Sequence, residues 1–217
     1  MLTLFLLLRM MSSRFGKINY NWYSFVIIIL WLTLQLGLTL AGVYSIGNDS
    51  LPPKILVYGI APTLVTIMLF FLLRKGRNFI SGLSILDLTI IHVVRIPVEL
   101  VLYLLFVYNA VPKLMTFEGR NLDVLMGIIS ILVVYLLAKG KINKSWLIAW
   151  NIIGLFFLFN IVGSALLSAP SPLQKLAFDQ PNIAIFYFPF SWLPTFVVPV
   201  VLFSHLAALQ KLLINKS

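Results

Sequence analysis

Residues Ile90 to Phe106 read IIHVVRIPVELVLYLLF, an apolar run interrupted by His92, Arg95, Pro97 and Glu99. The run is long and apolar enough to be the middle of a helix that crosses a bilayer, whose hydrocarbon core takes about 20 residues of helix. Ionisable groups inside such a segment are costly. An arginine at mid-helix is disfavoured by about 2.5–3.5 kcal/mol on insertion scales. They must therefore face a bundle interior, a partner or a water-filled space, and they mark where a site belongs.

The rest of the chain fits that setting. Of 217 residues, 61% are hydrophobic and only 10% charged, whereas soluble domains carry about a quarter charged. Runs such as VLYLLF (residues 101–106) and LIAWNIIGLFFLF (147–159) do not alternate in polarity, as strands of a membrane barrel must. The expectation is an all-α polytopic membrane bundle forming one integral domain over 1–217. Six spans are expected near 22–45, 55–73, 83–108, 122–138, 145–168 and 183–210, after a cytoplasmic or interfacial segment 1–20. Short turn-rich connections separate them, among them GNDSLPPK, RKGRN, AVPKLMTFEGRN, AKGKINK and APSPLQKLAFDQPN.

The net charge of +10 is a topology signal. With the N-terminus inside, the inner segments hold Arg9, Arg14, Lys17, Arg74, Lys75, Arg77, Lys139, Lys141, Lys144, Lys211 and Lys216. The outer ones hold Lys54, Lys113, Arg120 and Lys175, and the acids Asp49, Glu118, Asp123 and Asp179. This bias sets both termini in the cytoplasm and gives the inner face affinity for anionic lipid. The lipid bilayer is the expected partner, with other membrane proteins or a second copy as further ones, and no soluble domain is available for nucleic acid. The opening MLTLFLLLRMM is too short to span and lies in the interface, or translation starts at Met10 or Met11. Asn48–Asp49–Ser50 is a sequon on the outer side. Trp22, Trp31, Trp146, Trp150 and Trp192 fall mostly near span ends, where indole rings anchor.

On a helical wheel of about 100° per residue, Glu99 and Tyr103 flank His92 by about 20° on either side, with Arg95 and Thr89 about 60° off. Pro97 lacks an amide hydrogen, so the carbonyl of Val93 loses its helical donor. Depth adds a second helix. His92 lies just before the middle of the third span and His205 just past the middle of the sixth, running the opposite way. At about 1.5 Å per residue they share a layer, and Asn151 of the fifth span joins it. An outer layer holds Glu99, Tyr103, Asn160 and Ser164. A mouth is built from Glu118, Arg120, Asp123 and Asp179. Pro189, Pro194 and Pro199 predict a bent or broken sixth helix.

Cysteine is absent, which excludes disulfides, thiolate chemistry and iron–sulfur ligation. No phosphate-binding glycine loop, HExxH or GxSxG occurs, and nothing points to catalytic residues. Three functions compete. The first is binding or transport of a small polar or anionic solute, coupled to protons, with Arg95 on the anion and Glu99 or His92 carrying the proton. The second is a non-enzymatic assembly or scaffold protein whose polar stripe meets a partner helix. The third is a cofactor protein, with His92 and His205 holding haem b or, with Glu99, Asp87 or Asp123, a divalent metal.

The stretches IIHVVRIPVELVLYLLF, LMTFEGRNLD, SAPSPLQKLAFDQPNIAIFYFPF and FSHLAALQKL together resemble a family of small bacterial multi-pass membrane proteins with no assigned activity. The resemblance covers the chain from about residue 20 onward. It implies a bacterial cytoplasmic membrane and supplies no substrate or site residues.

Overall fold

The computed structural model describes residues 2–15, 18–45 and 50–214, the side chains of 12–15 and 18–21 excepted. Met1, Lys17, Asn48, Asp49 and Lys216 of the sequence analysis lie outside the described residues, as does the side chain of Arg14. Among the described residues every regular element is a helix, with no strand. The helices are α1 (Leu2–Phe15), α2 (Ile18–Leu40), α3 (Ala61–Leu72), α4 (Arg74–Ser81), α5 (Ile85–Ile90), α6 (Arg95–Val107), α7 (Asp123–Ala138), α8 (Lys144–Ser168) and α9 (Val198–Ile214).

Four segments are long and apolar enough to cross a membrane: Trp22–Leu40, Ile85–Val107, Lys144–Ser168 and Leu193–Ile214. Leu56–Leu72 joins Arg74–Ser81 through an 84° bend and makes a fifth if the pair is one span. The predicted fourth span is the shorter helix α7, of 16 residues, or about 24 Å at 1.5 Å per residue. The predicted sixth span starts ten residues too early. Ile183–Ser191 holds only a single 3₁₀ turn, Ala184–Phe186, and helix proper begins with the π-helical turn Leu193–Val197. Phe188 precedes Pro189, and a residue before proline is pushed out of the helical region. Pro194 and Pro199 fall in and just after the π turn, where the Val198 amide reaches Leu193 O, so the irregularity expected of this helix is concentrated at its start.

Local chemistry sets the other boundaries. Ser84 Oγ accepts from the amides of Leu86 and Asp87 and starts α5. Asn143 Oδ1 accepts from the Trp146 amide (2.9 Å) and starts α8, as side-chain oxygens at an N-cap do. Gly140, at φ +64°, closes α7, where a left-handed residue is wanted. Between α5 and α6 the chain tightens into a 3₁₀ turn, Ile91–Val94, which ends three residues before Pro97.

The core centres on α5, α6, α8 and α9, with Leu88, Ile91, Leu158, Val201 and Ala207 buried. Helix α1 packs into the same core through Leu4, Leu6 and Met10. Helix α2 is tied down by a second buried polar group, Gln35, which the sequence analysis did not single out. Its Nε2 donates to Tyr58 O (3.0 Å) and its Oε1 accepts from Tyr44 Oη (2.7 Å). At one end of the bundle two connections clasp each other. Gln180 Nε2 donates to Phe106 O and Val111 O, and the amides of Ile183 and Ala184 donate to Ala110 O. This clasp fixes the approach to α7, and with it Asn121 and Asp123.

Candidate functional site

Where α6, α7, α8 and α9 meet, the structure buries a chain of polar side chains. Arg95 is 2% exposed, Glu99 1%, and Asn121, Asn151, His92 and His205 no more than 1%. Arg95 Nη1 donates to Asp123 Oδ1, at the first turn of α7. Arg95 Nη2 meets His205 Nε2 at 2.8 Å and Gly154 O at 3.4 Å. His205 Nδ1 lies 2.8 Å from Asn151 Oδ1, and Asn151 Nδ2 donates to Leu147 O at 2.8 Å.

That last bond orders the whole line. A backbone carbonyl only accepts, so the Asn151 atom facing it is the amide nitrogen, and its oxygen faces His205. His205 Nδ1 therefore carries the hydrogen, and Nε2 is left as the acceptor for the guanidinium. His205 is held as the neutral Nδ1–H tautomer by a chain of donors that starts at the α8 backbone.

A second branch runs from Asp123 to Glu99. Asn121 Oδ1 accepts from the Asp123 amide (3.0 Å). Its Nδ2 donates to Met115 O (3.0 Å) and to Glu99 Oε1. One cation, Arg95, thus serves two buried carboxylates and is paired with Asp123. Glu99 is held by an amide alone, and its Oε2 has no protein partner.

Glycines permit this packing. A Cβ on Gly154 would run into the His205 ring, and one on Gly127 would press on Ile96 and Arg95. The small residues let the helices approach where the charged groups cross.

His92 and His205 meet as the depth argument expects, but as a stacked pair with ring centroids 3.9 Å apart and planes at 25°. Trp150 packs edge-on against His92. Stacked imidazoles do not direct their in-plane lone pairs at one iron from opposite sides, and the His205 acceptor is already engaged by Arg95. Among the described residues no group of three or more His, Asp or Glu side chains is placed to hold a metal ion.

Tyr103 is not brought to the site. It is half-buried and stacks on Phe117 at 4.8 Å. The 3₁₀ turn is the reason. At three residues per turn it advances about 120° per residue, so the wheel drawn from His92 slips, by roughly 60° over three residues, before α6 begins. Counted from Arg95, the buried positions are Arg95, Glu99 and Leu102, an i, i+4, i+7 stripe. Of the predicted mouth, Asp123 is drawn into the core, while Glu118, Arg120 and Asp179 are exposed. Glu118 sits 3.9 Å from Lys113. Asn160 Nδ2 donates to Arg120 O (3.0 Å) and so buttresses that loop. Thr89 is buried and bonds within its own helix.

A cavity of about 190 Å³ adjoins the cluster. It lies between α6, α8, the start of α9 and the π turn Leu56–Ile60 that precedes α3. Its walls are apolar, Leu102, Leu158, Ile161 and Val198 among them, and its polar edge is made by Arg95, Glu99, Asp123 and Asn182. Asn182 was not among the residues singled out from the sequence. Its Nδ2 donates to Ala165 O (3.2 Å), while its Oδ1 is buried without a protein partner.

A family model described as Domain of unknown function (DUF8737) matches residues 52–213, and the chain belongs to that family. Comparison with curated proteins and with solved structures finds no match.

Proposed function

Starting from membership of a family of unknown function, we propose that this chain is a multi-pass protein of a bacterial cytoplasmic membrane that binds a small solute in the cavity beside Glu99 and moves it across, with a proton carried by Glu99 or His92. The reading takes six crossings with both termini cytoplasmic. It counts α7 and Leu56–Leu72 as crossings, with α4 on the inner side, on the strength of the basic residues clustered in RKGRN and AKGKINK.

The observation that carries it is Glu99 Oε2, a carboxylate oxygen with no protein partner, buried at the edge of a cavity. Ionisable groups within apolar helices are expensive and are retained where a solute or proton passes. Arg95 supports the site rather than taking the solute. Its two Nη atoms are occupied by Asp123, His205 and Gly154 O, so an anion would have to displace protein groups to reach them, and Nε alone is left without a protein partner.

The test is a thermal-shift screen of the detergent-purified chain against small solutes, repeated with Glu99→Gln. The expected result is stabilisation by a restricted chemical class that the variant loses. Stabilisation by no solute, together with co-purification of a stoichiometric membrane partner, would favour the scaffold reading instead.

A further inference from the structure

We infer that the solute is a mainly apolar molecule with a hydrogen-bond-donating head, an amine or an alcohol, and not an anion. This rests on the binding reading above and names the class of ligand for the same site.

Three observations converge. The first is the polarity of the orphaned atoms. Three buried polar atoms of the residues on the cavity edge lack a protein partner: two oxygens that accept, Glu99 Oε2 and Asn182 Oδ1, and one donor, Arg95 Nε. The amide assignment of Asn182 is fixed because its other atom faces a carbonyl, Ala165 O. Buried acceptors are satisfied by donors, so a ligand that completes this edge must offer N–H or O–H groups. A carboxylate or phosphate could accept from Arg95 Nε but would leave both oxygens unserved.

The second is charge. The cluster holds Arg95 against Asp123 and Glu99, and the ion pair is with Asp123. An anion would be a further negative group beside a guanidinium already paired with Asp123. An ammonium head would supply the missing partner for Glu99.

The third is the wall. Beyond its polar edge the cavity is lined by side chains such as Leu102, Leu158, Ile161 and Val198. Apolar cavities of about 150 Å³ stay dry and take up apolar molecules, and this one has about 190 Å³. A hydrated polar solute would lose its water there against groups that cannot replace it. The lining also reaches two residues that are exposed on the helix surfaces, Leu64 and Phe159. An apolar molecule thus has a route in from the side of the bundle.

The test uses the whole chain in detergent, titrated calorimetrically at neutral pH with hexylamine, hexanol and hexanoate, three probes with the same six-carbon chain. The expected result is saturable binding of hexylamine and hexanol at one per chain, with hexanoate at least tenfold weaker. Glu99→Gln should weaken hexylamine at least tenfold and hexanol much less. Ala165→Phe, which fills the cavity from α8 without touching the charged cluster, should abolish all three while the protein remains monodisperse. If Glu99→Gln fails to fold, Ala165→Phe carries the test alone. Hexanoate binding as tightly as hexylamine, with loss in Arg95→Met, overturns the ligand class and leaves a solute site standing. Saturable binding by none of the probes, or isotherms unchanged in both cavity variants, overturns the inference. Failure of the solute screen as well would remove the binding reading itself.

Discussion

Arg95 on α6 is paired with Asp123, 28 residues later on α7, and not with Glu99 one turn along its own helix. The choice matters because it spends the guanidinium on the scaffold and leaves one carboxylate oxygen free at the cavity. Truncating one partner of a buried ion pair strands the other charge, which costs about 3–5 kcal/mol, whereas replacing both by apolar residues is often neutral. Asp123→Leu should therefore destabilise strongly, and the double variant Arg95→Met/Asp123→Leu should recover most of the loss. Reversible unfolding in mixed micelles reads both. Equal destabilisation in single and double variants would show that the pair is not the unit drawn here.

Gly154 and Gly163 offer a controlled comparison on a single helix. A Cβ at Gly154 meets the His205 imidazole, while one at Gly163 meets nothing within 4 Å. Gly154→Ala should cost about 1–3 kcal/mol, the usual range for overpacking. Gly163→Ala should be neutral or stabilise by about 0.5–1 kcal/mol through the reduced freedom of the unfolded chain. Thermal denaturation of the two variants side by side gives the answer.

The tautomer of His205 is a spectroscopic prediction. The Asn151 amide forces the hydrogen onto Nδ1, so long-range ¹⁵N–¹H correlations should show a protonated Nδ1 and an unprotonated Nε2. Asn151→Leu removes the acceptor, and the ring should then lose that bias. A protonated Nε2 in the wild-type protein would break the line from Leu147 to Arg95.

Topology can be read by labelling because the native chain has no cysteine. Single cysteines in place of Lys75 and Lys141 should be shielded from an impermeant maleimide in intact cells. Those in place of Glu118 and Lys175 should react. Reaction of all four, or of none, would contradict the six-crossing arrangement.

Much of the site is visible in the sequence because its strongest signals are local. An arginine and a glutamate at i, i+4 in an apolar run must be buried on one face, and Arg95 and Glu99 are. The shared depth of His92 and His205 follows from helix rise alone, and they do stack. Other features depend on where the chain returns. Nothing near Arg95 says that its partner is Asp123. The start of α7 is set by contacts distant in sequence, among them the clasp formed by Gln180, Ile183 and Ala184 and the Asn160 bond to Arg120 O. Asn121 bonds the Asp123 amide two residues on, but its bond to Glu99 is a tertiary event. Tyr103 is misplaced by a uniform 100° step, since the wheel has no term for the 3₁₀ turn. The late start of the last helix shows how apolar composition alone overstates helix length when proline and loop packing intervene.

The most direct measurement is an experimental density map of the chain in nanodiscs, after gentle purification from its own membrane and incubation with hexylamine. The expected map shows density in the cavity between α6, α8 and α9, with its head within hydrogen-bond distance of Glu99 Oε2 and Asn182 Oδ1. A cavity that is empty, or filled only by a hydrocarbon tail making no polar contact with Glu99, would contradict a solute site at this carboxylate.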